Sequence, residues 1–249
     1  MTIRSPTGLH IASRIPGAAG LAFDPLLGPV GHDLRRSFFL SNDVADQLGP
    51  YDSYMYSFAD FGFGATRTRA FVDNEMEVLS LTTLATANDG GYDAHAATFG
   101  MDFDDGTLLV MRARLVTDAV SQRVAFGLTT ARDDVPATAA GGGQKATFVA
   151  RTAASANWRV ATDDGTTDSE ADYSPVVALV AGTWQTFMVW RTSTEVRFRI
   201  GANAPMARTA NLPDKNLAHF PAWGVRTLTA VAREVQVSYY ALYRMGMNR

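Results

Sequence analysis

Three observations predict an all-β chain built as a two-sheet antiparallel sandwich or jelly roll. Apolar and polar residues alternate through many short segments, turn-forming residues separate those segments, and helical periodicity is nearly absent. Of the 249 residues, 47% are apolar and 19% charged, enough for a sizeable core.

Residues 1–30 are rich in Gly, Pro and small side chains without a sustained period, and are read as an extended arm. "SNDVADQLG" (41–49) has Ser41 or Asn42 in a capping position and Gly49 as a stop, which predicts one short helix. The aromatic, glycine-rich "YDSYMYSFADFGFG" (51–64) suits a strand end and a packed loop. The organisation expected is therefore an N-terminal arm with a helical and loop segment over 1–65, then a sandwich domain over 66–249.

Within that domain the period of two is plain. "TLLVMRARLVT" (107–117) sets Leu109, Met111, Ala113 and Leu115 against Arg112 and Arg114. "RVAFGLTT" (123–130) turns Val124, Phe126 and Leu128 inward, and "EVRFRIGANAP" (195–205) opposes Val196, Phe198 and Ile200 to Arg197 and Arg199. "WQTFMVW" (184–190) is apolar on both faces and is expected mid-sheet. "REVQVSYYALYRM" (233–245) lines up Val235, Val237, Tyr239, Ala241 and Tyr243. Connectors such as "TDDGTTDS" and "RTSTE" carry turn residues.

Charge and composition exclude several classes. A net charge of −3 and a pI near 5.8 give no basic footprint for nucleic acid. The absence of cysteine removes disulfides, thiol nucleophiles and Cys-zinc sites. The first twenty residues lack the apolar core of a secretory signal, and no run of about 18 apolar residues predicts a membrane span.

The order of segments carries a resemblance. "LTTLATANDGGYDAHAAT", "TLLVMRARLVTDAVSQRVAFGLTTARDD", "NWRVATDDGTTDSE", "TWQTFMVWRTSTEVRFRIGANAP" and "REVQVSYYALYRM" together resemble the concanavalin A-like lectin/glucanase jelly roll, LamG-like, in the style of tailed-phage virion proteins. The resemblance spans roughly residues 70–247. Laminarinase-like members of that superfamily carry E-x-D-x-x-E on one strand. In "NEMEVLS", Glu75 fits its first position, Glu77 replaces the aspartate, and Ser80 stands where the second catalytic glutamate belongs. Glu75 and Glu77 lie about 6.6 Å apart on one face of a strand. A retaining mechanism needs its acid and nucleophile on opposite sides of the scissile bond, so a solvated strand start is preferred.

Other candidates are weighed similarly. "GGGQKAT" (141–147) departs from a phosphate loop at Gln144 and Ala146. Asp163, Asp164, Asp168 and Glu170 offer oxygens for calcium, as "MDFDDG" (101–106) does more weakly, but a soluble acidic turn is the simpler reading. His10, His32, His95 and His219 are scattered, without metal-site spacing. Trp184 and Trp190 are read as core; Trp158 and Trp223 are left as candidates for an interface or a saccharide. No catalytic, cofactor or metal residue is assigned.

The expectation is a non-enzymatic virion structural protein made in the host cytoplasm, a capsid decoration or cement protein or another head-associated protein that engages its partners through the jelly roll and the N-terminal arm. It would bind coat subunits, as a homo-oligomer such as a trimer, and the outward arginines would face acidic coat loops. The alternative is a lectin-like module reading host glycans.

Overall fold

Alternating side chains can be buried on one face only if two sheets close on each other, and that is the architecture observed. The computed structural model describes residues 39–43, 56–60, 66–71, 77–95, 101–104, 107–117, 122–131, 143–151 and 155–244. The strands are β1 (Phe39–Asp43), β2 (Tyr56–Asp60), β3 (Thr66–Phe71), β4 (Glu77–Thr82), β5 (Gly90–His95), β6 (Met101–Asp102), β7 (Thr107–Leu115) and β8 (Gln122–Thr129). They continue with β9 (Lys145–Arg151), β10 (Arg159–Asp163), β11 (Asp168–Asp172), β12 (Gln185–Arg191), β13 (Val196–Ile200), β14 (Met206–Arg208), β15 (Ala218–Thr227) and β16 (Glu234–Arg244).

One sheet runs β14-β13-β12-β7-β16-β4-β3, with β1 also on β16. The other runs β11-β10-β9-β8-β15-β5-β2, with β6 on β15. All the pairings are antiparallel. This is the two-sheet jelly roll expected, and the described residues contain no helix.

Between the sheets, Leu109, Met111, Ala113 and Leu115 of β7 meet Val124, Phe126 and Leu128 of β8 in one core. Phe187 of β12 sits at its centre, with ring centroids 5.2 Å from Phe126, 5.0 Å from Phe148 and 4.8 Å from Trp158. Burying each such ring contributes roughly 1.5–3 kcal/mol, and aromatic pairs add about 0.5–1.5 kcal/mol. The crossover from β11 to β12 closes one end of the core. Its Val177 carbonyl accepts the Trp158 N–H at 2.8 Å, and Val177 and Leu179 pack against the core.

Two local expectations are corrected. Ser41 and Asn42 do not cap a helix; they lie in β1, paired with Ala241 and Tyr240. Pairing with β16 takes up backbone groups along 39–43, which outweighs a local capping signal. The rest of that segment, like residues 1–30, lies outside the described residues. In β16 the register shifts between Val237 and Tyr239, so Tyr240, not Tyr239, falls opposite Met111 and enters the core. A bulge of this kind inserts one residue and reverses the alternation beyond it. β1 and β2, both N-terminal to residue 66, add one strand to each sheet.

Candidate functional site

The pieces of the glucanase-like pattern do not converge. Glu75 lies outside the described residues. Glu77 opens β4 opposite Phe71, in step with Leu79 and Leu81. Ser80 is three positions on and therefore on the other face, where its hydroxyl accepts a hydrogen bond from Gln236 Nε2 at 2.9 Å. Of the histidines, His10 and His32 lie outside the described residues and His95 ends β5 opposite Tyr56.

His219 is buried at the far end of the core. Its Nδ1 donates to the Leu217 carbonyl at 2.8 Å, its ring lies 5.2 Å from Phe103, and its Nε2 has no partner. Burial pushes its pKa down to about 4; the Leu217 carbonyl opposes that shift and Arg191 adds to it. The ring is neutral at pH 7.

The acidic hairpin tip is a structural network. Asp164 turns its carboxylate onto the Thr166 hydroxyl and the N–H groups of Thr166 and Thr167, which hold its pKa below the usual range. Asp163 accepts the N–H of Gly165, whose φ of +92° suits the turn. Asp163 and Asp168 face each other across β10 and β11. Both reach Lys145 Nζ, at 3.6 and 3.5 Å. Glu170 pairs with Arg123 at 2.7 Å and with Arg159 at 3.3 Å. Among the described residues, no group of three or more His, Asp or Glu side chains is placed to hold a metal. Lys145, in the phosphate-loop lookalike, begins β9 instead.

Register puts these charges on the face of the second sheet that points away from the core. Arg159, Ala161 and Asp163 of β10 align there with Val149, Thr147 and Lys145 of β9. The face is closed. Ala125, Val149, Ala161, Phe220 and Ala222 form a second buried apolar cluster on it, and Lys145 is 1% exposed.

The outward face of the first sheet differs, and three of the four tryptophans depart from their expected roles. Trp158 and Trp223, the free candidates, are each 1% exposed in the core. Trp158 Nε1 donates to Gln185 Oε1 at 2.8 Å, and Trp223 packs on Tyr240. Trp190 is buried as expected, but on the outward side of β12, where it pairs with Leu108. Trp184, expected in the core, precedes β12 and is half-buried. The guanidinium carbons of Arg112 and Arg114 each lie 4.6 Å from its ring centroid.

A polar ladder continues from this ring across the sheet. Arg112 Nη1 donates to Ser238 Oγ at 3.3 Å, and Arg114 Nε donates to Gln236 Oε1 at 2.8 Å. Gln236 Nε2 then donates to Ser80 Oγ and to Glu234 Oε1. Half-buried Trp184, Thr186, Arg114 and Arg199 leave this corner open to solvent. The ring, its guanidinium partners and the amide and hydroxyl groups can together hold a ligand that is apolar on one side and rich in hydroxyls on the other.

No family model matches the sequence, and no curated protein matches it. Solved structures do. A protein of unknown function from Shewanella oneidensis MR-1 is 13% identical with a TM-score of 0.59, over 86% of this chain and 89% of that one. A β-glucanase of Bacillus licheniformis is 8% identical with a TM-score of 0.56, over 84% and 98%. The carbohydrate recognition domain of Emp46p, in its metal-free form, is 6% identical with a TM-score of 0.54, over 81% and 94%. At these identities the likeness shows the fold: a concanavalin A-like jelly roll shared by glucanases and a carbohydrate-recognition domain. None of the three is named as a virion component.

The expectation of a non-enzyme is corrected by these structures. A lichenase and several other glycoside hydrolases share the fold at similar TM-scores. A scaffold on which glycoside hydrolases are built does not exclude hydrolysis, and one missing strand motif is too narrow a ground for doing so.

Proposed function

We propose that this chain acts on a polysaccharide, which it engages at the Trp184 corner of the first sheet. The single observation that carries this reading is the half-buried Trp184 ring, fixed by Arg112 and Arg114 at the head of a polar ladder. A preorganised aromatic ring beside hydrogen-bonding groups offers one surface to the apolar face of a sugar and another to its hydroxyls. The fold shared with a β-glucanase and a carbohydrate recognition domain supports the substrate class. Whether bound chains are also cut is read in the same experiment.

The test is gel retardation and calorimetry against a panel of soluble neutral and acidic polysaccharides, with release of reducing ends followed in parallel. Trp184→Ala is expected to weaken binding by about 2 kcal/mol, roughly 30-fold, with the thermal midpoint little changed. A panel that leaves the protein unretarded, or a Trp184→Ala protein that binds as before, would overturn the reading. A place on a phage head, in a homo-oligomer, is a further proposal supported only by the sequence style of residues 70–247. Co-sedimentation with capsids tests it separately.

A further inference from the structure

We infer that one end of the sandwich is a docking face for a second copy of this chain, related by a two-fold axis. The loops of this end follow β4 (83–89), β11 (173–184), β13 (201–205) and β15 (228–233). Backbone bonds hold the larger ones side by side. The Thr83 N–H donates to the Arg233 carbonyl, Val116 to Glu234, and Gly182 to Leu115 at the end of β7. In these four loops the charged side chains are Asp89 and Arg233, and both are buried. What the loops expose is apolar. Leu84, Val176, Val180 and Val231 are between 42% and 67% exposed, among exposed alanines and threonines. Among the described residues, the loops of the opposite end present Asp104, Asp164, Glu195 and Asp214 against Lys215.

The backbone of this end is open too. Asn157 and Ala178 form an antiparallel bridge, flanked by the Trp158 N–H to Val177 and Leu179 N–H to Ala156 bonds. Ala178 therefore turns its own N–H and carbonyl away from residues 155–158. An apolar strand edge of this kind recruits another chain. The absence of surface charge selects which chain. A two-fold interface lays a surface against its own copy, so any charge near the axis meets a like charge, and this end has none to oppose. A head-to-tail contact would set the apolar loops on the acidic end. A lipid surface is met by aromatic and basic side chains, which these loops do not expose. Seven strands abreast in two layers make an end roughly 35 Å by 20 Å, close to the about 800 Å² per partner of a stable interface.

Sedimentation equilibrium of the full chain, up to about 100 μM, tests this. The expected mass is twice 26.9 kDa. Val176→Asp and Val231→Asp set like charges across the axis, and each is expected to raise the dimer Kd at least about tenfold. Both side chains are exposed, so the variants should melt with the wild-type chain once all are dilute enough to be monomeric. Leu217→Asp, at the acidic end, is the control and should dimerise as before. A chain that stays at 26.9 kDa throughout, or a dimer that both valine variants keep, would overturn the inference. So would a mass that climbs past the dimer, the mark of a head-to-tail contact. A monomer that floats with phosphatidylcholine vesicles, and no longer does so as Val176→Asp or Val231→Asp, would overturn it by giving this end to lipid. The Trp184 ring lies on the outward face of the first sheet, so polysaccharide binding is measured separately and stands whichever state is found.

Discussion

Lys145 Nζ stands between Asp163 and Asp168 on a face where Lys145 is 1% and Asp163 0% exposed. Removing the cation leaves a fully buried carboxylate without its counter-charge, a change that costs about 3–5 kcal/mol. Lys145→Met is therefore expected to lower the urea midpoint by that equivalent, and a loss below about 1 kcal/mol would contradict the pairing. His219 gives a second expectation, in pH. Its pKa is about 4 in the folded chain, below the usual 6.5, so the unfolded state binds the extra proton first. The stability from the neutral ring is complete above pH 6.5 and is lost as pH falls towards 4, by about 3 kcal/mol in all. His219→Phe should flatten that slope, because a phenyl ring can keep the Phe103 contact and the Leu217 carbonyl still accepts the Phe103 N–H. Urea midpoints at pH 7.5, 5.5 and 4.5 would show it; an unchanged slope would exclude His219 as its source.

At the scale of elements, the approach of β8 to β9 depends on Gly127. A Cβ there would overlap the Ala146 carbonyl and come within 2.7 Å of Thr147 Cα, backbone that cannot swing aside. Gly127→Ala is expected to cost about 1–3 kcal/mol by thermal melting, with the loss centred on the second sheet in hydrogen exchange. A neutral effect would mean that the strands separate at little cost. The strands themselves were legible, since β7, β8 and β13 alternate in the sequence as they do in the fold. What was not legible was the second face of each strand. Arg123, Ala125 and Thr129 of β8 read as the solvent side, yet all are buried. Period two tells inside from outside only for a sheet with one covered face. The bulge in β16 was hidden for a related reason, because Ser238 and Tyr239 carry no signal of an extra residue. The tryptophans were exchanged because position in the chain cannot say which end of a strand an open corner occupies: Trp184 falls just before β12, and Trp158 just before β10.

For the whole molecule, the decisive question is whether the sandwich can stand without the strands that precede residue 66. β1 lies beside the C-terminal half of β16, continuing the flank that β4 occupies along Glu234–Val237. β2 pairs with β5 over five residues and forms the outer edge of the second sheet. Each therefore covers backbone donors and acceptors that would otherwise form an open edge, and an open edge recruits other chains. A protein beginning at residue 66 is expected to melt at lower temperature and to associate through β5, seen as rising mass in light scattering. A deletion ending at residue 30 removes neither strand and serves as the control. If the shorter protein stays monodisperse and melts with the control, β1 and β2 are accessory to the sandwich; if it associates while the control does not, the cooperative unit of this fold begins at β1.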